Sequence, residues 1–215
     1  MKRVLVTGFE PFDNDSVNPS WEAARRVDGW RCEGHEAIAR RLPCVYRAIR
    51  PQLAALLDEL SPDIVIALGL AGGRVDFSIE RVAINVDDAR IPDNADDQPI
   101  DRPSVEDGPA AYFSTLPIKA ILRRLRAAGL PASVSNSAGT FVCNHLLYGV
   151  LHFLAASGRP ARAGFIHVPW LESQAVTRPG EPAMALATMV RGVEAAIAAA
   201  LATREDVKMA AGSLD

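Results

Sequence analysis

The segment Ser135-Asn-Ser-Ala-Gly-Thr-Phe-Val-Cys143-Asn-His-Leu-Leu-Tyr148 runs from a strand of small residues through Gly139 into a helix whose first turn carries a cysteine. Backbone N–H groups at a helix start are unpaired and the helix dipole is positive there. A first-turn thiol can therefore have its pKa lowered from about 8.5 toward neutrality. That makes Cys143 a candidate nucleophile. It also opens an apolar stripe at helical spacing, with Leu146, Leu147, Val150, Leu151 and Leu154, and such a stripe suits an inert core thiol as well.

A thiol needs a base to take its proton and to protonate a leaving amine. His145 lies on a different face of the same helix and His152 lies deeper in it, while His35 opens a strand at the wrong end. His167, closing the run Ala163–Val168 just before Pro169, is the best placed of the four, although a strand-end histidine can equally be a hydrogen-bonded structural residue. Glu80 is the third candidate. In a long strand Phe77–Val86, alternation puts it on the same face as Val82, Ile84 and Val86. A carboxylate there needs a partner: either it orients His167 through a ring N–H, or it bridges to an arginine such as Arg74 or Arg81.

These residues need a frame that brings strand ends together. Strand-like runs at Arg3–Thr7, Glu36–Leu42 and Ile64–Leu70 alternate with helical patterns at Ser20–Val27 and Tyr46–Leu60. Then come the strand Phe77–Val86, a Pro- and Asp-rich loop from Asp87 to Pro109, a helix Ile118–Ala128 and a strand Ala132–Asn136. The Cys143 helix, the strand Ala163–Val168 and an Ala-rich helix over about Pro182–Ala202 complete the pattern. This alternation predicts an α/β sandwich whose ligands bind at the carboxyl ends of the strands. Three such ends carry Cys143, His167 and the glycine loop Gly69-Leu-Ala-Gly72-Gly73-Arg74. That loop is neither a phosphate-binding loop nor a dinucleotide fingerprint, but it can bring backbone groups close to a small ligand. Phe9 and Phe12, in a Pro-containing turn, either line its pocket or simply pack.

The chain has 215 residues, 49% of them hydrophobic, with no composition shift or linker. One domain is expected over residues 1–202, with a disordered polar tail over 203–215. A net charge of −3 and a pI near 5.8 offer no basic field for nucleic acid or an anionic membrane. No apolar run approaches the ~20 residues of a membrane span, and no signal-peptide core follows Met1, so a soluble, cytoplasmic protein is expected. Three cysteines without ligand spacing suggest free thiols and no metal site.

Taken in order, Gly8-Phe9-Glu-Pro-Phe12, Asn18-Pro-Ser20, Gly69-Leu-Ala-Gly-Gly-Arg74, Glu80-Arg-Val-Ala-Ile-Asn85, Asp88-Ala-Arg-Ile-Pro-Asp93, the Ser135–His145 segment and Gly164-Phe-Ile-His-Val-Pro169 closely resemble the pyroglutamyl peptidase I family. The resemblance runs from residue 1 to about residue 200. It implies a three-layer α/β/α sandwich around a mixed, mainly parallel twisted sheet, and a cytosolic cysteine exopeptidase that removes an N-terminal pyroglutamyl residue without metal or cofactor. It further implies Cys143 as nucleophile, His167 as general acid/base and Glu80 as the group that orients the imidazole, with Arg90 near the oxyanion. The implied substrate slot comprises Phe9, Phe12, Ile91, Phe141 and Val142, with backbone contacts at Leu70 and support from Asn18. Peptides with N-terminal pyroglutamate are the implied partners, and a homodimer or homotetramer the implied assembly. Asp13-Asn14 stands where the family commonly has Gly-Gly, and Cys44 near a position often held by threonine. A non-catalytic lactam binder and a phosphorylase-like nucleoside enzyme are the alternatives on the same fold.

Overall fold

The computed structural model describes residues 2–212. The chain opens with β1 (Lys2–Phe9), α1 (Pro19–Arg26), the short β2 (Arg31–Cys32), β3 (His35–Leu42), α2 (Tyr46–Leu60) and β4 (Ile64–Leu70). It continues through β5 (Phe77–Glu80), β6 (Val82–Ile84), β7 (Ala111–Phe113), α3 (Ile118–Ala127), β8 (Ala132–Ser135) and α4 (Val142–Ser157). Last come β9 (Arg162–Val168), β10 (Trp170–Leu171), α5 (Glu172–Ala175), β11 (Ala183–Met184) and α6 (Leu186–Ala202).

Seven strands form one sheet in the order β2-β3-β1-β4-β9-β5-β8. The central strands β3, β1, β4 and β9 are parallel, whereas β2 runs against β3 and β5 runs against β9, with β8 parallel to β5. Strands β1, β4 and β9 are buried on both faces over most of their length, which is why β4 reads as the unbroken apolar run Ile64-Val-Ile-Ala-Leu. Side chains alternate across it: Ile64, Ile66 and Leu68 join the core under α1, α3 and α6, while Val65 and Ala67 join the core under α2 and α4. The result is the expected three-layer sandwich with a mixed, mainly parallel sheet.

Two expectations change. The strand foreseen over Phe77–Val86 ends at Glu80; Arg81 turns the chain, its N–H donating to the Ser135 carbonyl (2.9 Å), and β6 pairs with β7 in a separate two-stranded sheet. Glu80 therefore shares a face with Ser78 rather than with Val82 and Ile84. The polar tail also differs over its described part. Residues 203–212 form no regular element, but the Asp206 carboxylate accepts from the N–H groups of Lys119 and Ala120 (3.0 and 2.9 Å). Helix α3 has Pro117 at its N-cap and no capping side chain there, so a carboxylate from far along the chain satisfies its orphan donors. Met209 and Ala211 pack on the core beside it. Residues 213–215 of the expected disordered tail lie outside the described residues.

Candidate active site

Helix α4 begins at Val142, so Cys143 stands in its first turn, and no side chain caps that end. Because β8 runs opposite to β9, the chain reverses through residues 136–141 before α4 can start, and Gly139 takes a left-handed φ of 77° in that reversal. Cys143 thus reaches the site by this return loop rather than from a carboxyl strand end beside that of β9. The sulfur settles over Gly69, where a Cβ would lie 2.9 Å from Sγ and 2.5 Å from the Phe165 ring. Only a glycine leaves that space.

His167 lies opposite Ser78 in the β9–β5 ladder, which makes Glu80, two residues on, its diagonal neighbour on the same face. The His167 Nδ1 to Glu80 Oε1 distance is 2.7 Å. Arg74 Nη1 donates to that same oxygen at 2.7 Å, while Arg74 Nη2 donates to the Ser137 carbonyl at 3.2 Å. The two roles left open for Glu80, orienting a histidine and bridging an arginine, are therefore both present. Glu80 is fully buried. The Arg74 charge offsets the loss of water around it, and the Nδ1 hydrogen bond to an anion fixes the imidazole with its proton on Nδ1 and its lone pair on Nε2.

Cys143 and His167 line one cavity of about 220 Å³, together with Phe9, Phe12, Asn18, Cys44, Leu70, Ala71, Arg74, Ala138, Gly139, Phe141 and Val142. Its walls are aromatic: the Phe141 ring lies 6.1 Å from Phe12 and 5.7 Å, edge-on, from Tyr46. Asn18 lines the cavity as a structural part. Its Oδ1 caps α1 by accepting from the Ser20 N–H (3.0 Å) and hydroxyl (2.8 Å), and its Nδ2 donates to the Glu10 carbonyl (2.9 Å), which ties down the turn bearing Phe9 and Phe12. In that turn Asp13 and Asn14 adopt φ values of 53° and 62°, the glycine-like conformation, which Asp and Asn tolerate best among other residues.

Arg90 and Ile91 are not among the residues that line this cavity. Ala89 is buried and its N–H donates to the Pro99 carbonyl (2.8 Å), which leaves the next residue, Arg90, exposed at the surface of the Asp87–Pro109 loop. Ala138, Ala71 and Arg74 line the cavity without having been singled out for it. Small residues and a salt-bridged arginine carry no periodic signal, and the Ala-Gly pair before α4 is the one hint the sequence holds.

Burial pushes the Cys143 thiol well above its ordinary pKa; the nearby Cys44 and Glu80 add to this and Arg74 opposes it. That upward push opposes the lowering foreseen from the helix start. Burial likewise pushes Cys44 up to about 12, with Glu10 and Asp93 contributing.

A larger cavity, about 900 Å³, lies between α2, α4 and residues 97–106 and contains neither Cys143 nor His167. His145 faces it, its Nδ1 2.7 Å from Asp87 Oδ2. That pair holds the start of the 87–109 loop to α4.

A sandwich that sets a thiol, an imidazole and a buried carboxylate around one apolar slot has the equipment of a cysteine-type hydrolase. Residues 2–203 match the family model described as Pyroglutamyl peptidase, and the chain belongs to that family. It is 59% identical over 215 residues to the pyrrolidone-carboxylate peptidase of Cupriavidus pinatubonensis, covering all of both chains. It is 57% identical over 213 residues to that of Erwinia tasmaniensis, covering 99% of each. Among solved structures, the pyroglutamyl peptidase I of Bacillus amyloliquefaciens superposes with a TM-score of 0.95 at 39% identity, over 97% of this chain and 99% of the other. The pyrrolidone carboxyl peptidase of Thermococcus litoralis gives 0.94 at 41% identity, over 98% and 100%.

Proposed function

We propose that this member of the pyroglutamyl peptidase family hydrolyses the amide bond after an N-terminal pyroglutamyl residue, with Cys143, His167 and Glu80 as its working residues. The observation that carries the mechanism is that Cys143 and His167 line one cavity while Glu80 holds the imidazole from behind. As Sγ attacks the pyroglutamyl carbonyl, its proton passes to His167 Nε2, and Glu80 stabilises the imidazolium so formed. The uncapped amides of the α4 first turn supply donors for the tetrahedral oxyanion. Collapse expels the peptide amine, which takes the proton from His167 and leaves a thioester. Water, deprotonated by His167, then attacks the thioester carbonyl, releasing pyroglutamate and restoring the thiol.

Pyroglutamate is a closed lactam with no free α-amino group, so a charged clamp would be the wrong tool. Phe9, Phe12, Phe141 and Val142 sandwich the flat ring, and backbone groups around Leu70 and Ala71 meet its N–H and C=O. An N-terminal glutamine or glutamate would carry an ammonium group into that slot without a partner and be rejected. A single peptidase domain over 1–202, a cytoplasmic setting and assembly into a homodimer or homotetramer belong to the same proposal. The three cysteines are free, in keeping with a reducing compartment, and among the described residues no helix is long and apolar enough to cross a membrane.

The test is product analysis on matched peptides that begin with pyroglutamate, glutamine or proline. Free pyroglutamate from the first and no cleavage of the others is expected; equal cleavage of all three, or of none, would sink the assignment.

A further inference from the structure

The catalytic cavity ends where a second one begins. Ala71 lines the first, whereas Gly72 and Gly73 line a cleft of about 450 Å³ with Trp170, Arg178, Pro179 and Glu181. The two walls leave the site side by side, because the Ala71 N–H donates to the Val168 carbonyl (3.0 Å) and Trp170 follows His167 by three residues. Under the mechanism above, the pyroglutamyl ring fills the aromatic end of the slot and the leaving nitrogen lies at His167. The rest of the peptide must then depart past the glycine loop, into this cleft.

The cleft is built rather than incidental. A Cβ on Gly72 would lie 2.7 Å from the Trp170 Nε1, so the indole rests directly on glycine backbone. The Arg178 guanidinium sits 4.1 Å from the centroid of the Trp170 ring and pairs with Asp15 at 2.6 Å. Its charge is therefore already balanced, as is that of Arg74 by Glu80. Glu181 is exposed and makes no ion pair among the described residues, which leaves one uncompensated negative charge on the cleft.

We propose that this cleft is the subsite for the side chain following the pyroglutamyl bond, and that Glu181 makes it select a basic side chain over an acidic one. The proposal rests on the peptidase assignment above. It is tested by comparing kcat/KM for pyroglutamyl-Lys-Ala, pyroglutamyl-Ala-Ala and pyroglutamyl-Glu-Ala at low ionic strength, in the unaltered protein and in Glu181→Gln and Glu181→Lys. Glu181 is on the surface, so neither variant threatens folding. A preference for Lys over Glu of about threefold or more is expected, the range of a partly exposed ion pair. It should collapse in Glu181→Gln and invert in Glu181→Lys. Cleavage of the Ala peptide with a Lys-to-Glu ratio near one, or a ratio that both variants leave untouched, would overturn the subsite and spare the peptidase assignment. Failure to cleave any of the three would overturn that assignment, and the subsite with it.

Discussion

Burial works against ionisation of the Cys143 thiol, so the proposed mechanism asks His167 to activate the sulfur as well as to protonate the leaving group. A preformed thiolate would react with an alkylating agent whether or not the imidazole were present. Here burial raises the thiol pKa, so ionisation on its own belongs to alkaline solution. Iodoacetamide at pH 7 should therefore label Cys143 readily in the unaltered protein and no faster than Cys32 in His167→Ala. Unchanged labelling of Cys143 in that variant, followed by mass spectrometry of its peptide, would show that the helix start alone activates the sulfur. The types and approximate places of Cys143, His167 and Glu80 were readable in the sequence. The direction in which the fold pushes the thiol's pKa was not, because it depends on how much water the fold removes and on distant chain segments such as Cys44 and Arg74.

At the scale of elements, the site depends on close approach between β4, β9 and the start of α4. Gly69→Ala would force its Cβ into the Phe165 ring and the Cys143 sulfur. With the backbone of β4 locked between β1 and β9, the sulfur has to move. We expect kcat to fall about a hundredfold, the effect of a displacement near 1 Å, and the fold to lose about 1–3 kcal/mol from overpacking. Kinetics combined with denaturant unfolding checks both, and near-normal kcat would mean the sulfur is not held there. Helix α2 and strand β4 could be read to the residue, since each carries its own periodicity. The break of the Phe77–Val86 run at Glu80 could not, because an alternating pattern continues across Arg81 and only the pairing of β6 with β7 interrupts it. Arg90 lies in a loop without periodicity, which is positioned by its backbone partners, here Ala89 on Pro99 and Asp88 on Thr140.

For the molecule as a whole, the buried Cys44 thiol ties stability to alkaline pH. A thiol with its folded pKa raised binds its proton more tightly in the folded state than in the unfolded one. The stability it contributes is intact below the unfolded value and is lost as pH climbs toward the folded one. For Cys44 that window runs from its ordinary 9.0 to about 12. Thermal midpoints should therefore fall as pH rises above 9, and the fall should be shallower in Cys44→Ala; parallel pH profiles for the two proteins would contradict this. The layering and the parallel centre of the sheet were readable from alternation alone, whereas the reversed β5 and β8 were not, since strand direction leaves no mark on composition. The tail escaped for a different reason: Asp206 contributes by capping a helix some 86 residues earlier in the chain, a contact without local signature.

The measurement that bears most directly on the proposed mechanism is release of a fluorogenic amine from a pyroglutamyl amide by the unaltered protein and by Cys143→Ala, His167→Ala and Glu80→Gln. The unaltered protein should turn over. Cys143→Ala and His167→Ala should be inactive, and Glu80→Gln, which keeps the side chain's shape and removes its charge, should lose about 100- to 10,000-fold in kcat. Turnover at the unaltered rate in Cys143→Ala or His167→Ala would contradict the assignment of nucleophile and base, and full activity in Glu80→Gln would show that the buried carboxylate serves the fold alone.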